Sequence, residues 1–282
     1  MMTQSIEQIV LKYDRRGIGR LQSDIGTDSC NRTADFLLST SGPVLIGTGF
    51  YIAHAAKPET DGPPGTIALA RGLARLNRDV SLVTDEICAD VMRQVAGKTP
   101  LHVLPMEAGE VGRAAARRIL TEAAPGLLVA IERCGPDAND KFLQFNGTDI
   151  SRFTGRMDYL FDGDIPSIGI VDGGNEIGIG AVAGSVAALP GLPNSPCIVA
   201  TTKIVLGSIA NWGTYGLLAA LSLKTGKMLL PTVEEEQDIR TAVVAAGAID
   251  GDSGEAIGAV DGYPSELNSL IVERLHRLVD RG

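Results

Sequence analysis

Ser167-Ile168-Gly169-Ile170-Val171, running without a break into Asp172-Gly173-Gly174-Asn175-Glu176-Ile177-Gly178-Ile179-Gly180, decides how this chain is read. The mostly apolar opening has strand character. The second part sets a carboxylate, an amide and a second carboxylate among glycines, which let a backbone turn sharply and approach a ligand closely. Asp172, Asn175 and Glu176 are hard oxygen donors of the kind Mg²⁺ or Mn²⁺ prefers. An acidic, glycine-rich turn earlier in the chain, Pro58-Glu59-Thr60-Asp61-Gly62-Pro63-Pro64-Gly65, repeats the recipe.

Outward from that stretch, strands and helices alternate. Val44 to Gly47, Val80 to Val83, Leu101 to Leu104 and Leu127 to Ile131 read as strands, and Ile198 to Thr201 as a further one. Between them, Gly65 to Leu76 carries Ile67, Leu69, Ala70, Leu73, Ala74 and Leu76 at helical spacing behind Pro63 and Pro64. Glu86 to Val95 and Gly112 to Glu122 read as helices, and Leu267, Leu270, Ile271, Leu275, Leu278 and Val279 mark a closing amphipathic one. This order implies an α/β fold of three layers, Rossmann-like, with a mainly parallel sheet and helices on both faces. One domain over residues 1–282 is the economical division, with a helical section to about residue 41 and an excursion over the site at about 135–164. A nucleotide fingerprint is absent, since no Gly-x-Gly-x-x-Gly or phosphate-binding loop occurs.

Composition narrows the partners. The formal charge of −9, with no basic run to offset it, disfavours nucleic acid or an anionic membrane and favours a cation or a small ligand. Cys30, Cys88, Cys134 and Cys197 form no Cys-x-x-Cys pair and read as reduced thiols of a cytoplasmic protein. The opening Met1 to Gln8 is polar and lacks a signal-peptide core. Ile204 to Leu223 is twenty residues without a charge. It carries Ser208, Asn211 and Thr214, so it reads as a buried helix or a contact within a homo-oligomer rather than a membrane span.

The carboxylates fall at one end of this map. Asp85, Glu132 and Asp172 each follow a strand, and Glu59 with Asp61 precedes the helix after the first strand; open α/β sheets bind ligands outside those carboxyl ends. Ordinary roles compete. Glu176 can stabilise a turn or helix start, Glu59 and Asp61 can cap the Gly65 helix, Glu132 can pair with a nearby cation, and Asp85 can open a helix. Of the histidines, His54 lies in the loop that delivers Glu59, and an imidazole suits proton transfer near neutrality. Cys134 has no histidine partner to make it a nucleophile. Arg16 and Arg20 are candidates to hold a substrate carboxylate bidentately.

The motifs Pro43 to Phe50, Glu59 to Gly65, Ile131-Glu132-Arg133, Asp149-Ile150-Ser151, Asp172 to Gly178 and Asn211-Trp212-Gly213 resemble the successive signatures of the D-glutamate cyclase C-terminal-domain family. The resemblance implies a metal-dependent α/β enzyme, lyase or hydrolase, connected with interconversion of D-glutamate and 5-oxo-D-proline. On this reading Glu59, Asp61, Asp172 and Glu176 hold Mn²⁺ or Mg²⁺, and Asn175 orients. Glu132 or His54 moves protons, and Gly173, Gly174 and Asn211 join the arginines around a small carboxylate or amino-acid substrate. Two other functions suit the same acidic cluster: a metal-dependent phosphatase, and a non-catalytic protein that binds a metal or small ligand.

Overall fold

The computed structural model describes residues 4–281; residues 1–3 of the polar opening and residue 282 lie outside them. Helices α1 (Ile6–Val10), α2 (Gln22–Ile25) and α3 (Ser29–Ser39) precede strand β1 (Val44–Thr48). A two-residue hairpin, β2 (Tyr51–Ile52) and β3 (Lys57–Pro58), leads to α4 (Pro63–Arg75). Then come β4 (Val80–Asp85), α5 (Ala89–Val95), β5 (Leu101–Leu104), α6 (Gly109–Ala123) and β6 (Leu127–Ile131). After an irregular excursion, β7 (Ser167–Val171), α7 (Ala183–Ala188), β8 (Lys203–Leu206), α8 (Ala210–Thr225), α9 (Val233–Ala245) and α10 (Ser265–Val279) complete the chain.

The sheet runs β5-β4-β1-β6-β7-β8 with every pairing parallel. Without the hairpin this is the strand order of doubly wound nucleotide-binding folds, and the order reverses between β1 and β6. A parallel sheet needs cover on both faces, and the strands show it. Val44 and Ile46 of β1 join Leu127, Val129 and Ile131 of β6 in a core with α4 and α8. Leu45, Leu128 and Ala130 pack the other way with Ile119 of α6 and with Met157, Tyr159 and Leu160 of the excursion. Ile18, Leu21, Ile179 and Val186 cover that same side of β7 and β8 through Val171, Ile204 and Leu206. Three layers result.

Two readings of the sequence need correction. Ile198 to Thr201 is not a strand: Ile198 is half exposed, and Ala200 makes only isolated bridges to Gly178 and Ile179. The last strand is β8, where Ile204 and Leu206 face one core and Val205 the other. The charge-free stretch from Ile204 is accordingly a buried strand, a turn and most of α8, rather than one helix. Hydropathy cannot separate a buried strand from a buried helix, and the turn at Gly207-Ser208 is marked only by its glycine. Among the described residues no helix is long and apolar enough to cross a membrane.

Beneath the carboxyl edge lies a buried ion pair. Arg133 and Asp85 are each about 1% exposed, with Nη1 2.7 Å from Oδ2. The same guanidinium donates to the carbonyls of Gly49 (2.7 Å) and Gly155 (2.5 Å), while Asp85 accepts from the amides of Cys88 and Gly155. The segments leaving β1, β4 and β6 and the excursion at Gly155 are thereby tied together, next to Glu132 in sequence. Asp85 thus belongs to this scaffold. Removing one partner leaves the other charge buried without compensation, which costs about 3–5 kcal/mol. Arg133→Met is expected to lower the free energy of unfolding by that amount in chemical denaturation, and a loss below about 1 kcal/mol overturns the assignment.

Candidate metal centre

Two helix starts face each other at the floor of the site, and each is capped by the other. Asp61, just before α4, accepts from the amides of Ala210 (2.7 Å) and Asn211 (2.8 Å) at the start of α8. Asn211 Oδ1 accepts from Gly62 (3.1 Å) and Gly65 (2.8 Å) at the start of α4, and its Nδ2 donates to the Thr60 carbonyl. Asp61 is therefore a cap, but of the distant α8 rather than the α4 that follows it. Asn211 spends its amide on the turn. Gly62 sits at φ +96°, and a Cβ there would lie 2.5 Å from Thr48 Oγ1, so the crossing of the two segments excludes a side chain. Two positive helix ends are directed at one place, which favours anionic groups there.

Around that floor stand Glu59, Asp61, Glu132, Asp172, Glu176 and Asp261, nearly all buried. Five of them, all but Glu59, form two triads, Asp61-Asp172-Asp261 and Glu132-Asp172-Glu176; within each, one oxygen per residue lies within 4.8 Å of the others. Asp172 belongs to both. Glu132 follows β6 at the reversal of strand order, with φ +43°. A glutamate in that left-handed region stores strain on the order of 1–3 kcal/mol, and such strain collects at functional sites. Asp261, also left-handed at φ +50°, arrives from the loop before α10.

Turn chemistry holds part of the cluster. Glu176 accepts from the amides of Gly173 (2.6 Å) and Gly174 (2.7 Å), so those glycine amides face a carboxylate and not the cavity. Gly178, at φ +125°, lies against β7, where a Cβ would meet the Gly169 Cα at 2.9 Å. Asn175 lines the cavity and donates to the Leu143 carbonyl. Two oxygens stand apart: Glu132 Oε2 and Asp172 Oδ2 are buried with no hydrogen-bond partner among the described residues. Buried carboxylate oxygens that find no donor are costly, and a divalent cation is the partner their chemistry suits. The donor set therefore fits a hard divalent cation.

Above the cluster opens a cavity of about 430 Å³, whose lining includes Glu59, Glu132, Asn175, Asp261, Arg15 and His54. His54 is exposed at its rim, and Gln144 to Asn146 of the excursion form part of its wall. Arg16 binds Asp172 (2.5 Å) and Asp261 (2.7 Å). Arg20 is not brought to the cavity; it donates to the carbonyls of Gly17 and Pro190. Arg15, which sequence reasoning missed, is exposed at the lining with its guanidinium 3.8 Å above the Tyr263 ring. Asp261 was missed as well. Val260-Asp261-Gly262 repeats Val171-Asp172-Gly173, and that echo was the available signal.

Burial, aided by like charge, sets the protonation of the cluster. Burial first, then Asp172 and Glu176, holds the Glu132 carboxyl well above its usual range. Burial does the same to Glu59, with Asp261 and Asp61 adding to it, and to Asp172, where the Arg16 guanidinium pulls the other way. Asp61 is pushed up by burial and Asp261 to about 7, against the pull of the α8 amides.

The strand order makes this a doubly wound α/β protein, with the buried carboxylate cluster at the point where the order reverses, which is where open sheets of this kind offer a crevice to ligands. The chain is a member of the D-glutamate cyclase-like C-terminal family, whose model matches residues 6–276. It is 29% identical to the human protein "D-glutamate cyclase, mitochondrial", the match covering 93% of this chain and 51% of that one, so the chain spans about half the length of this curated relative. Among solved structures it resembles an exopolyphosphatase-related protein from Bacteroides fragilis at 10% identity, with a TM-score of 0.42 over 89% of this chain and 56% of the other.

These protonation preferences make stability depend on pH. Glu59, Asp61, Glu132 and Asp172 have folded-state pKa values above the unfolded ones. Their stabilising contribution is complete below about pH 4 and is lost as pH rises through the folded value, about 7 for Asp61. His102, lowered by burial, works the opposite way, but it is one half-buried group against four. In chelator-treated protein the free energy of unfolding is expected to fall between about pH 5 and about pH 8 in urea titrations. A flat or rising profile contradicts the charge assignment.

Proposed function

We propose that this chain is a divalent-cation-dependent enzyme that interconverts D-glutamate, or a similar small amino acid, and its lactam 5-oxo-D-proline. The observation that carries the proposal is the pair of unpartnered buried oxygens, Glu132 Oε2 and Asp172 Oδ2, beneath a cavity in a member of this family. Asp172, Glu132 and Glu176 would hold the cation, with Asp61, Asp261 and Glu59 beside them, and Asn175 would orient a ligand at the wall. A bound Mn²⁺ or Mg²⁺ would supply polarisation of a carboxyl group that is otherwise a poor electrophile.

Ring closure makes a bond between the amine nitrogen and the γ-carboxyl carbon and breaks one C–O bond. The proton leaving nitrogen ends on the departing oxygen, and water is the co-product. Glu132 suits that transfer because it lines the cavity and one of its oxygens has no hydrogen-bond partner, so as a carboxylate it can take the proton from nitrogen and return it to the departing oxygen. His54 at the rim is the alternative carrier. The closure is intramolecular, so holding the chain of the amino acid folded in the cavity removes much of the entropic barrier. Arg15 takes the role the sequence suggested for Arg16 and Arg20: its guanidinium is presented on the Tyr263 ring and suits the α-carboxylate of the substrate.

The purified chain with Mn²⁺ or Mg²⁺ is expected to interconvert the amino acid and its lactam, to stop on chelation, and to recover when the cation returns. Turnover unchanged after chelation, with metal analysis confirming removal, rejects the cation's role. The two triads sharing Asp172 also suit two-cation hydrolysis of a phosphate ester, so a panel containing D-glutamate, 5-oxoproline and small phosphate esters separates that second reading. Absence of turnover on every member favours a binding protein. Glu132→Gln, whose amide oxygen can still reach the cation, is expected to fill its site at excess metal while kcat stays lower by on the order of 10²–10⁴-fold. Full recovery of kcat at excess metal reassigns Glu132 as a ligand alone.

A further inference from the structure

Asp172 joins two carboxylate triads, and its two oxygens are differently engaged. Oδ1 accepts from Arg16 Nη1 at 2.5 Å, whereas Oδ2 has no hydrogen-bond partner among the described residues. Arg16 Nη2 reaches Asp261 Oδ2 at 2.7 Å, so the guanidinium spans two of the three members of the Asp61-Asp172-Asp261 triad. In the Glu132-Asp172-Glu176 triad Arg16 touches only the shared Asp172; Glu176 is satisfied by backbone amides and Glu132 Oε2 is unpartnered. Arg16 therefore bridges two members of one triad and meets the other only at the Asp172 they share.

How Arg16 is held suggests that its contact is exchangeable. It sits in the turn between α1 and α2, which Asp14 secures by accepting from the amides of Gly17, Ile18 and Gly19, so the backbone needs nothing from the Arg16 side chain. That side chain is 28% exposed and lines the cavity, with the Phe145 ring 5.1 Å from its guanidinium carbon. Arg133, by contrast, is fully enclosed. A guanidinium and a divalent cation cannot share the Asp172–Asp261 edge, because their like charges repel at contact distance.

We propose that Arg16 is the built-in counter-ion of a second cation position: guanidinium and divalent cation exchange on the Asp61-Asp172-Asp261 triad, while the Glu132-Asp172-Glu176 triad takes its cation with Arg16 in place. The inference rests on the cation-binding part of the proposed function and does not depend on the substrate. It makes the second position weaker than the first by the cost of displacing Arg16, and it gives Asp261 a role in that position alone.

Mn²⁺ titration of the full chain without substrate tests this, with calorimetry or the loss of the free-ion paramagnetic signal as the readout. The wild type is expected to bind one ion tightly and a second weakly. In Arg16→Met the second affinity rises by about tenfold or more, equivalent to about 1.4 kcal/mol, and the first is little changed. Arg16→Lys, which can meet only one carboxylate at a time, falls between them and also serves if the methionine variant folds poorly. Asp261→Asn loses the second ion and retains the first. Equal binding by wild type and both Arg16 variants overturns the exchange while leaving the proposed cation-dependent activity intact. Failure of the wild type and every variant to bind Mn²⁺ overturns both.

Discussion

Like charge at close range is the constraint on which this molecule is built. Glu59, Asp61, Glu132, Asp172, Glu176 and Asp261 crowd one buried region, and a pair of carboxylates 4 Å apart repels by roughly 4 kcal/mol at an effective dielectric constant of 20. The fold answers with directed positive charge. The starts of α4 and α8 point amides at Asp61 and Asn211, the Gly173-Gly174 turn gives two amides to Glu176, and Arg16 bridges Asp172 to Asp261. Proton retention takes up part of what remains, which is why four of these groups hold protons so far above their ordinary range. Glu132 Oε2 and Asp172 Oδ2 remain outside these arrangements.

Support for the cluster comes from the chain on every side. Arg133 and Asp85 lock the segments behind Glu132, so its strained backbone is held by its surroundings rather than by its own preference. Trp212, fully buried in α8, donates its indole N–H to Asn268 of α10 at 2.8 Å, which ties the helix that Asp61 caps to the helix that follows Asp261. Asp250 accepts from the Gly262 amide and steadies the loop that presents Asp261. Rigid placement of this kind keeps repelling groups close enough to act on one ligand.

Ordinary structural roles and ligand roles coincide at several residues. Asp61 caps a helix and Glu176 closes a turn, as a structural reading of each would have it, yet both belong to triads of carboxylate oxygens. A carboxylate oxygen has two lone-pair directions, so accepting an amide does not exhaust it. Capping and coordination are compatible for the same side chain, and the amides that cap it also orient it.

Local sequence determined the strands β1, β4, β5, β6 and β7 and the fact that carboxylates follow several of them, because apolar runs, prolines and glycines act over a few neighbouring residues. Glu59, Asp61, Glu132, Asp172 and Glu176 were legible for that reason. β8 was not, since Ile204 to Leu206 and most of α8 share one continuous charge-free stretch and only burial on both faces separates strand from helix. Tertiary structure alone decided that Asp261 joins the cluster, that Asp61 and Asn211 cap each other's helices, that Arg16 bridges carboxylates while Arg20 stays away, and that Arg15 lines the cavity. Each of these depends on segments far apart in the chain being packed together, and the electrostatics of a buried group depends on which charges packing places beside it.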